Sequence, residues 1–297
     1  MPLNGPGNYR VEDNKVFTRA IEINAVHHCN LSCRGCSHSA PISSKKINDP
    51  KTIKEDLTYL AKYLKCETVR IVGGEPLLHP KLDELLKVIK QSNICENICL
   101  VTNGILLDKI NNDALLNIDK IEISLYPIQQ EIINKINQEA IKLKNAGKKV
   151  TILEYSSFRE AISRLKTDDK NIINRIYDTC QIAHFLRCIT IENGRLYRCP
   201  QSMIYEEKTG DKKDSIEIKS INNINNLLKF LENNNALNSC ASCLGSIGQA
   251  FLHEQINKNK WEEALPEKTE EAIYNIYLNK LIEDARFETG CMNRKKL

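Results

Sequence analysis

The chain has 297 residues, 41% hydrophobic and 27% charged, with a formal net charge of +4, enough for the core of one large domain or one domain with an appendage. It holds no basic block beyond Arg294-Lys295-Lys296 and no apolar run near the roughly 18 residues of a spanning helix, so neither nucleic acid nor membrane is an expected partner. The first ten residues are broken by Pro and Gly and lack the apolar h-region of a secretory signal, so the expected location is cytoplasmic.

An apolar, β-branched run (Ile21, Ile23, Val26) reads as a first strand. The loop after it carries Cys29, Cys33 and Cys36 at spacing C-x3-C-x2-C. Asp49-Pro50 then starts a helix with Ile53, Leu57, Leu60, Ala61 and Leu64 at helical spacing. A strand over 68–72 ends in Gly73-Gly74-Glu75-Pro76, and a second helix shows Leu82, Leu85, Leu86 and Ile89 on one face. The strand 98–102 closes on Asn103-Gly104, and the strand 121–125 contains Ser124. A long helix (Ile132, Ile133, Ile136, Ala140, Leu143) ends at Gly147, and a fifth strand covers 150–153. Strand and helix alternate throughout, which predicts an α/β fold with a parallel sheet. After Tyr155 come a short helix and a charged linker, 166–170, so five strands are legible where a sixth could be hidden.

Twelve cysteines in a chain with no export signal are expected to be reduced thiols, and clustered reduced thiols are most simply metal ligands. A set of three suits a cubane with one iron left open, because a structural zinc or iron–sulfur site wants four ligands. Beyond Cys180 an alternating strand, Ile189 to Ile191, turns at Asn193-Gly194 into Leu196-Tyr197 and Cys199-Pro200, a hairpin signal. An amphipathic stretch, 224–231, precedes Cys240-Ala241-Ser242-Cys243. Two hairpin ligands and a C-x2-C turn can close a site of four thiolates around an iron–sulfur cluster or a zinc ion. Cys66, Cys95 and Cys99 fall in or beside core elements and read as small hydrophobes.

C-x3-C-x2-C after a first strand, followed one βα unit later by Gly73-Gly74-Glu75-Pro76, resembles the radical S-adenosylmethionine (SAM) superfamily. The resemblance implies a partial parallel (β/α) barrel of five or six strands with ligands at the carboxyl ends of the strands. It implies that Cys29, Cys33 and Cys36 hold a [4Fe-4S] cluster whose open iron is chelated by SAM, and that they are in that sense catalytic. Gly73, Gly74, Glu75, Thr102, Asn103 and Ser124 fall where the family contacts SAM; the glycines would offer the methionyl amine a bare backbone edge. The pattern C-x13-G-x4-C from Cys180 through Gly194 to Cys199 resembles the Twitch and SPASM extensions of such enzymes. By that resemblance Cys180, Cys199, Cys240 and Cys243 hold one auxiliary [4Fe-4S] cluster. Cys188 competes with Cys180, but lies closer to Gly194 than the family spacing. The implied domains are a barrel over 1–170, an auxiliary-cluster domain over 171–250 and a helical tail over 251–297, with Trp261 packing on the barrel.

The one-cluster layout resembles that of the Twitch-bearing aminocyclitol (2-deoxy-scyllo-inosamine) dehydrogenases, and implies a low-potential donor such as flavodoxin or ferredoxin. Its substrate would be a small molecule, a sugar, aminocyclitol or nucleotide derivative, undergoing dehydrogenation, epimerisation or dehydration. The alternatives are a peptide-modifying maturase or epimerase of the same superfamily and, in another class, a non-catalytic iron–sulfur or zinc scaffold. Arg159 and Glu154 are candidate substrate contacts, and Cys291 is a candidate hydrogen-atom donor or a spare thiol.

Overall fold

Residues 9–269 are described by the computed structural model. Strands β1 (Arg10–Glu12), β2 (Lys15–Val26), β3 (Leu64–Gly73), β4 (Cys95–Thr102), β5 (Lys120–Leu125) and β6 (Lys149–Glu154) are joined, from β2 onward, through helices α1 (Pro50–Leu60), α2 (Leu82–Gln91), α3 (Asn112–Asn117) and α4 (Gln130–Asn145). β2 to β6 pair in parallel in chain order, with β1 antiparallel on β2. Alternate strand residues face opposite sides. Ile21, Ile23, Val69, Ile71, Leu100, Ile121 and Ile123 bury against Ile53 and Leu57 of α1, Leu85 and Ile89 of α2, and Ile136 and Ala140 of α4. Each such Val, Leu or Ile side chain contributes about 1.5–3 kcal/mol by leaving water. The other face carries Glu22, Arg70 and Glu122, with Arg70 Nη2 donating to Glu122 Oε1 at 2.8 Å and its Nε 3.8 Å from Glu22 Oε1. Burial pushes the Glu22 carboxyl up, against the pull of Arg70.

The helix ends follow the sequence signals. Asp49 caps α1 by accepting from Lys51 N at 3.3 Å. α4 closes with Gly147 at φ +85 and Lys148 N donating to Leu143 O at 3.0 Å.

The sixth parallel strand is one that the sequence marked only as half of a hairpin. After β7 (Ser157–Arg159), the strand β8 (Ile189–Glu192) pairs in parallel with the free side of β2, Ile21 opposite Ile189 and Ile23 opposite Ile191. β9 (Arg195–Tyr197) and β10 (Ser215–Glu217) then add antiparallel, giving the order β10-β9-β8-β2-β3-β4-β5-β6. The fold is a mixed α/β partial barrel with six parallel strands, and the Asn193-Gly194 hairpin extends its sheet. Both turn residues have positive φ, 47° and 73°, as a two-residue hairpin of this twist requires. Gly194 N donates to Asp56 Oδ2 at 2.9 Å, tying the hairpin to α1.

Residues 160–165 are not the short helix expected. They run irregularly, bridging Ile162 to Cys243, until Asp169 caps α5 (Lys170–Asp178) by accepting from Asn171 N at 2.8 Å. Helices α6 (Pro200–Thr209) and α7 (Ile224–Leu231) follow, and β11 (Ala250–Leu252) returns to pair antiparallel with β7. Trp261 is completely buried. The helical run expected over 272–282 and Cys291 lie outside the described residues. Among the described residues no helix is long and apolar enough to cross a membrane.

Candidate active site

The loops leaving β2, β3, β4, β5 and β6 meet at the carboxyl edge of the sheet, where they line a cavity of about 930 Å³. Cys29, Cys33 and Cys36 stand on its wall, with Gly73, Gly74, Thr102, Asn103 and Ser124 beside them. None of the eleven described cysteines is in a disulfide. Leu31 N donates to Cys29 Sγ at 3.4 Å and Asn103 Nδ2 approaches the same sulfur at 3.7 Å. The backbone N–H groups of His38, Ser39 and Ala40 face Cys36. Burial pushes the thiols of Cys29 and Cys33 up to about 12. Donors aimed at sulfur favour a thiolate, and burial disfavours it unless a cation is bound at the sulfur.

The two glycines have a reason internal to the chain. A Cβ on Gly74 would lie 1.9 Å from His28 O, and one on Gly73, whose φ is +128, 2.2 Å from Val26 O. The end of β3 lies directly on the root of the cysteine loop, with Gly74 N donating to Val26 O at 2.8 Å and Glu75 N to His28 O at 3.0 Å. Glu75 is fully buried and is not among the residues lining the cavity. Its carboxylate accepts from Leu77 N (3.0 Å), Thr102 Oγ1 (2.7 Å) and Asn103 N (2.8 Å), so it fixes the end of β4 to the end of β3.

The second cysteine set opens on the same cavity. Cys180, Cys199 and Cys243 line it, and Cys240 is buried behind them with Cys199, Ile176 and Tyr177. Each of the four thiols is raised by burial and then by another member of the set or lowered by backbone donors. Gln201 and Ser202 N–H groups at the start of α6 face Cys199, Ile182 and Ala183 face Cys180, and Gly245 N donates to Cys243 Sγ at 3.2 Å. Cys188 lies near Glu22 and Arg70 and also near Cys199 and Cys180, and it does not line the cavity. Cys66 and Cys99 are buried and Cys95 half-buried in the barrel strands.

Among the described residues no three His, Cys, Asp or Glu side chains converge as ligands of a single metal ion do. Thiolate-only sets spread around a cavity, with N–H groups aimed at their sulfurs, fit the larger body of an iron–sulfur cubane. At about 930 Å³ the cavity falls within the roughly 300–1,000 Å³ range of ligand sites. Arg159 lines the cavity, with Nη1 donating to Gly248 O at 3.2 Å, whereas Glu154 is exposed on β6 outside it.

Several residues of the site have no motif. Tyr126, Tyr155, Phe158 and Phe251 form its aromatic wall, and His38 and Gln201 add buried polar atoms, His38 Nε2 and Gln201 Oε1, with no partner. The segment after β11 runs along the cysteine loop: Arg34 N donates to Glu254 O at 3.0 Å, Ile256 N to Ser32 O at 2.9 Å, and Trp261 Nε1 to Cys33 O at 2.8 Å. Arg34 clamps Glu160 and Glu254 at 2.8 and 2.9 Å. Only the proline opening α6 and the isolated tryptophan carried a local signal.

The chain thus joins a parallel α/β sheet to a three-thiol loop after its first parallel strand and a glycine pair at the end of the next. Residues 23–155 match the family model of the radical SAM superfamily. Over 121 residues the chain is 32% identical to GTP 3',8-cyclase of Chlorobaculum tepidum, covering 40% of this chain and 36% of that protein. Over 135 residues it is 33% identical to a probable GTP 3',8-cyclase of Methanococcus aeolicus, covering 43% and 44%. The matching segment therefore spans about two-fifths of these relatives. Among solved structures, the crystal structure of BtrN in complex with AdoMet and 2-DOIA is similar at 20% identity and a TM-score of 0.47, over 76% of this chain and 85% of that one.

Proposed function

We propose that the chain is a radical SAM enzyme with one auxiliary [4Fe-4S] cluster, acting on a small molecule held between its two cysteine sets. The observation that carries this reading is the single cavity lined by Cys29, Cys33 and Cys36 and also by Cys180, Cys199 and Cys243. A [4Fe-4S] cluster with an open iron, SAM and an electron from a flavodoxin or ferredoxin together supply a 5′-deoxyadenosyl radical that takes hydrogen from an unactivated C–H bond.

Cys29, Cys33 and Cys36 would hold that cluster, and Cys180, Cys199, Cys240 and Cys243 the auxiliary one. Gly73, Gly74, Thr102, Asn103 and Ser124 would receive SAM, with Glu75 orienting Thr102 and Asn103 from behind. The aromatic wall excludes water from the space between the two sets. Among the described residues Arg159 is the one arginine or lysine on that wall. A nucleoside triphosphate calls for several cations, so the reaction named for the cyclase relatives is not carried over. A sugar, an aminocyclitol or a nucleotide derivative of low charge suits the lining; hydrogen abstraction with loss of one electron and one proton would be a dehydrogenation, for which a cluster on the second cysteine set would supply the electron acceptor.

Anaerobically reconstituted protein should bind about eight irons, four for each cubane, and release 5′-deoxyadenosine from SAM once reduced. Cys29→Ala should abolish cleavage, while Cys240→Ala should keep cleavage and lose product. Stoichiometric zinc with no cleavage would replace this reading with that of a scaffold.

A further inference from the structure

The side chain of His253 reaches the sulfur of Cys33 without facing the cavity. His253 Nε2 lies 3.1 Å from Cys33 Sγ. Cys33 lines the cavity and His253 does not, so the imidazole approaches the sulfur from the protein side. The ring is held there by packing, stacked on Tyr126 with centroids 5.0 Å apart and planes 9° apart, and edge-on to Phe158 at 4.8 Å. Its backbone is anchored too: His253 N donates to Ser156 O at 3.0 Å, and Gln255 bridges to Cys33. The other ring nitrogen, Nδ1, is buried with no partner. With Cys33 as a thiolate, which can only accept, the Nε2 contact requires the tautomer that carries its proton on Nε2.

We propose that His253 is a positioning residue for the cluster on Cys29, Cys33 and Cys36, donating its Nε2–H to the Cys33 thiolate and raising the potential at which that cluster accepts an electron. The inference rests on Cys33 being a cluster ligand. Reduction places more negative charge on the sulfurs, so a fixed N–H donor stabilises the reduced state more than the oxidised one. Because His253 lies outside residues 23–155, this adjustment belongs to the C-terminal segment of the chain and not to the matched domain.

The test is a redox titration of the reconstituted full chain, followed by electron paramagnetic resonance on the reduced signal that SAM perturbs. His253→Phe keeps the stacked ring and removes the donor; His253→Gln keeps an N–H. The expected result is full iron content in both variants. In His253→Phe the one-electron equilibrium constant should fall about tenfold, a shift of about 59 mV to lower potential, and His253→Gln should recover most of it. An unchanged potential in His253→Phe overturns the proposal. So does loss of the SAM-perturbed signal in both variants, which would make His253 a ligand or a purely structural residue. If Cys33→Ala leaves iron content and that signal intact, the ligand reading itself has failed, which is a different result from either.

Discussion

Gly74→Ala separates two reasons for a glycine at the end of β3. If the residue serves only the close approach of a nucleotide, alanine lowers SAM affinity and leaves the protein without cofactors unchanged. The geometry predicts otherwise. The new Cβ would stand 1.9 Å from His28 O, where ordinary contact starts near 3.4 Å, so the cysteine loop and the end of β3 must part by about 1.5 Å. That displacement breaks the hydrogen bonds from Gly74 N to Val26 O and from Glu75 N to His28 O. Two lost backbone bonds cost about 1–3 kcal/mol and the residual overpacking about 1–3 more, or roughly 2–6 in all. At about 2–4 °C per kcal/mol, the midpoint of thermal unfolding should fall by at least about 4 °C in the absence of iron and SAM. Scanning calorimetry of the metal-free variant measures this directly. A variant with an unchanged midpoint but weaker SAM binding would refute the packing argument.

Arg34→Ala strips the partner from Glu160, whose side chain is 7% exposed, and should destabilise by about 3 kcal/mol. Burial already raises the Glu160 carboxyl while Arg34 lowers it, so removing Arg34 raises it further. The variant's deficit should be greatest at neutral pH and narrow as pH falls and Glu160 protonates; urea titrations across that range would show a constant deficit if Glu160 were not the cause. Trp261→Phe removes the Nε1 donor to Cys33 O and leaves a gap in a completely buried site. A loss of about 2–4 kcal/mol is expected, together with reduced iron incorporation in the Cys29 set; normal incorporation would show that the strap is dispensable to the loop.

The features legible in the sequence were those whose signal is local. Ile53, Leu57 and Leu60 mark α1 by their spacing, Asn193-Gly194 marks a hairpin by its dihedral requirement, and the thiols announce themselves by type. The parallel pairing of β8 with β2 had no such mark, because a hairpin signal fixes β8 against β9 and says nothing of its other neighbour. β7 and β11 are three residues each, too short for periodicity, and are separated by about ninety residues of chain. His253 and Trp261 meet Cys33 across 220 and 228 positions, contacts set by the tertiary fold alone. Glu75 illustrates a subtler limit: its type and place in a motif were readable, but its three donors, and hence its facing away from the cavity, depend on where β4 ends.

The central claim, that the Cys29 set holds a cluster with one iron free for a nucleotide, is tested most directly by electron–nuclear double resonance on the reduced protein with SAM isotopically labelled at its amino nitrogen and carboxylate. The account predicts hyperfine coupling from both labels to the cluster spin, absent in Cys36→Ala. Bound SAM with no coupling from either label, or a fully protein-ligated cluster at Cys29, Cys33 and Cys36, would contradict it.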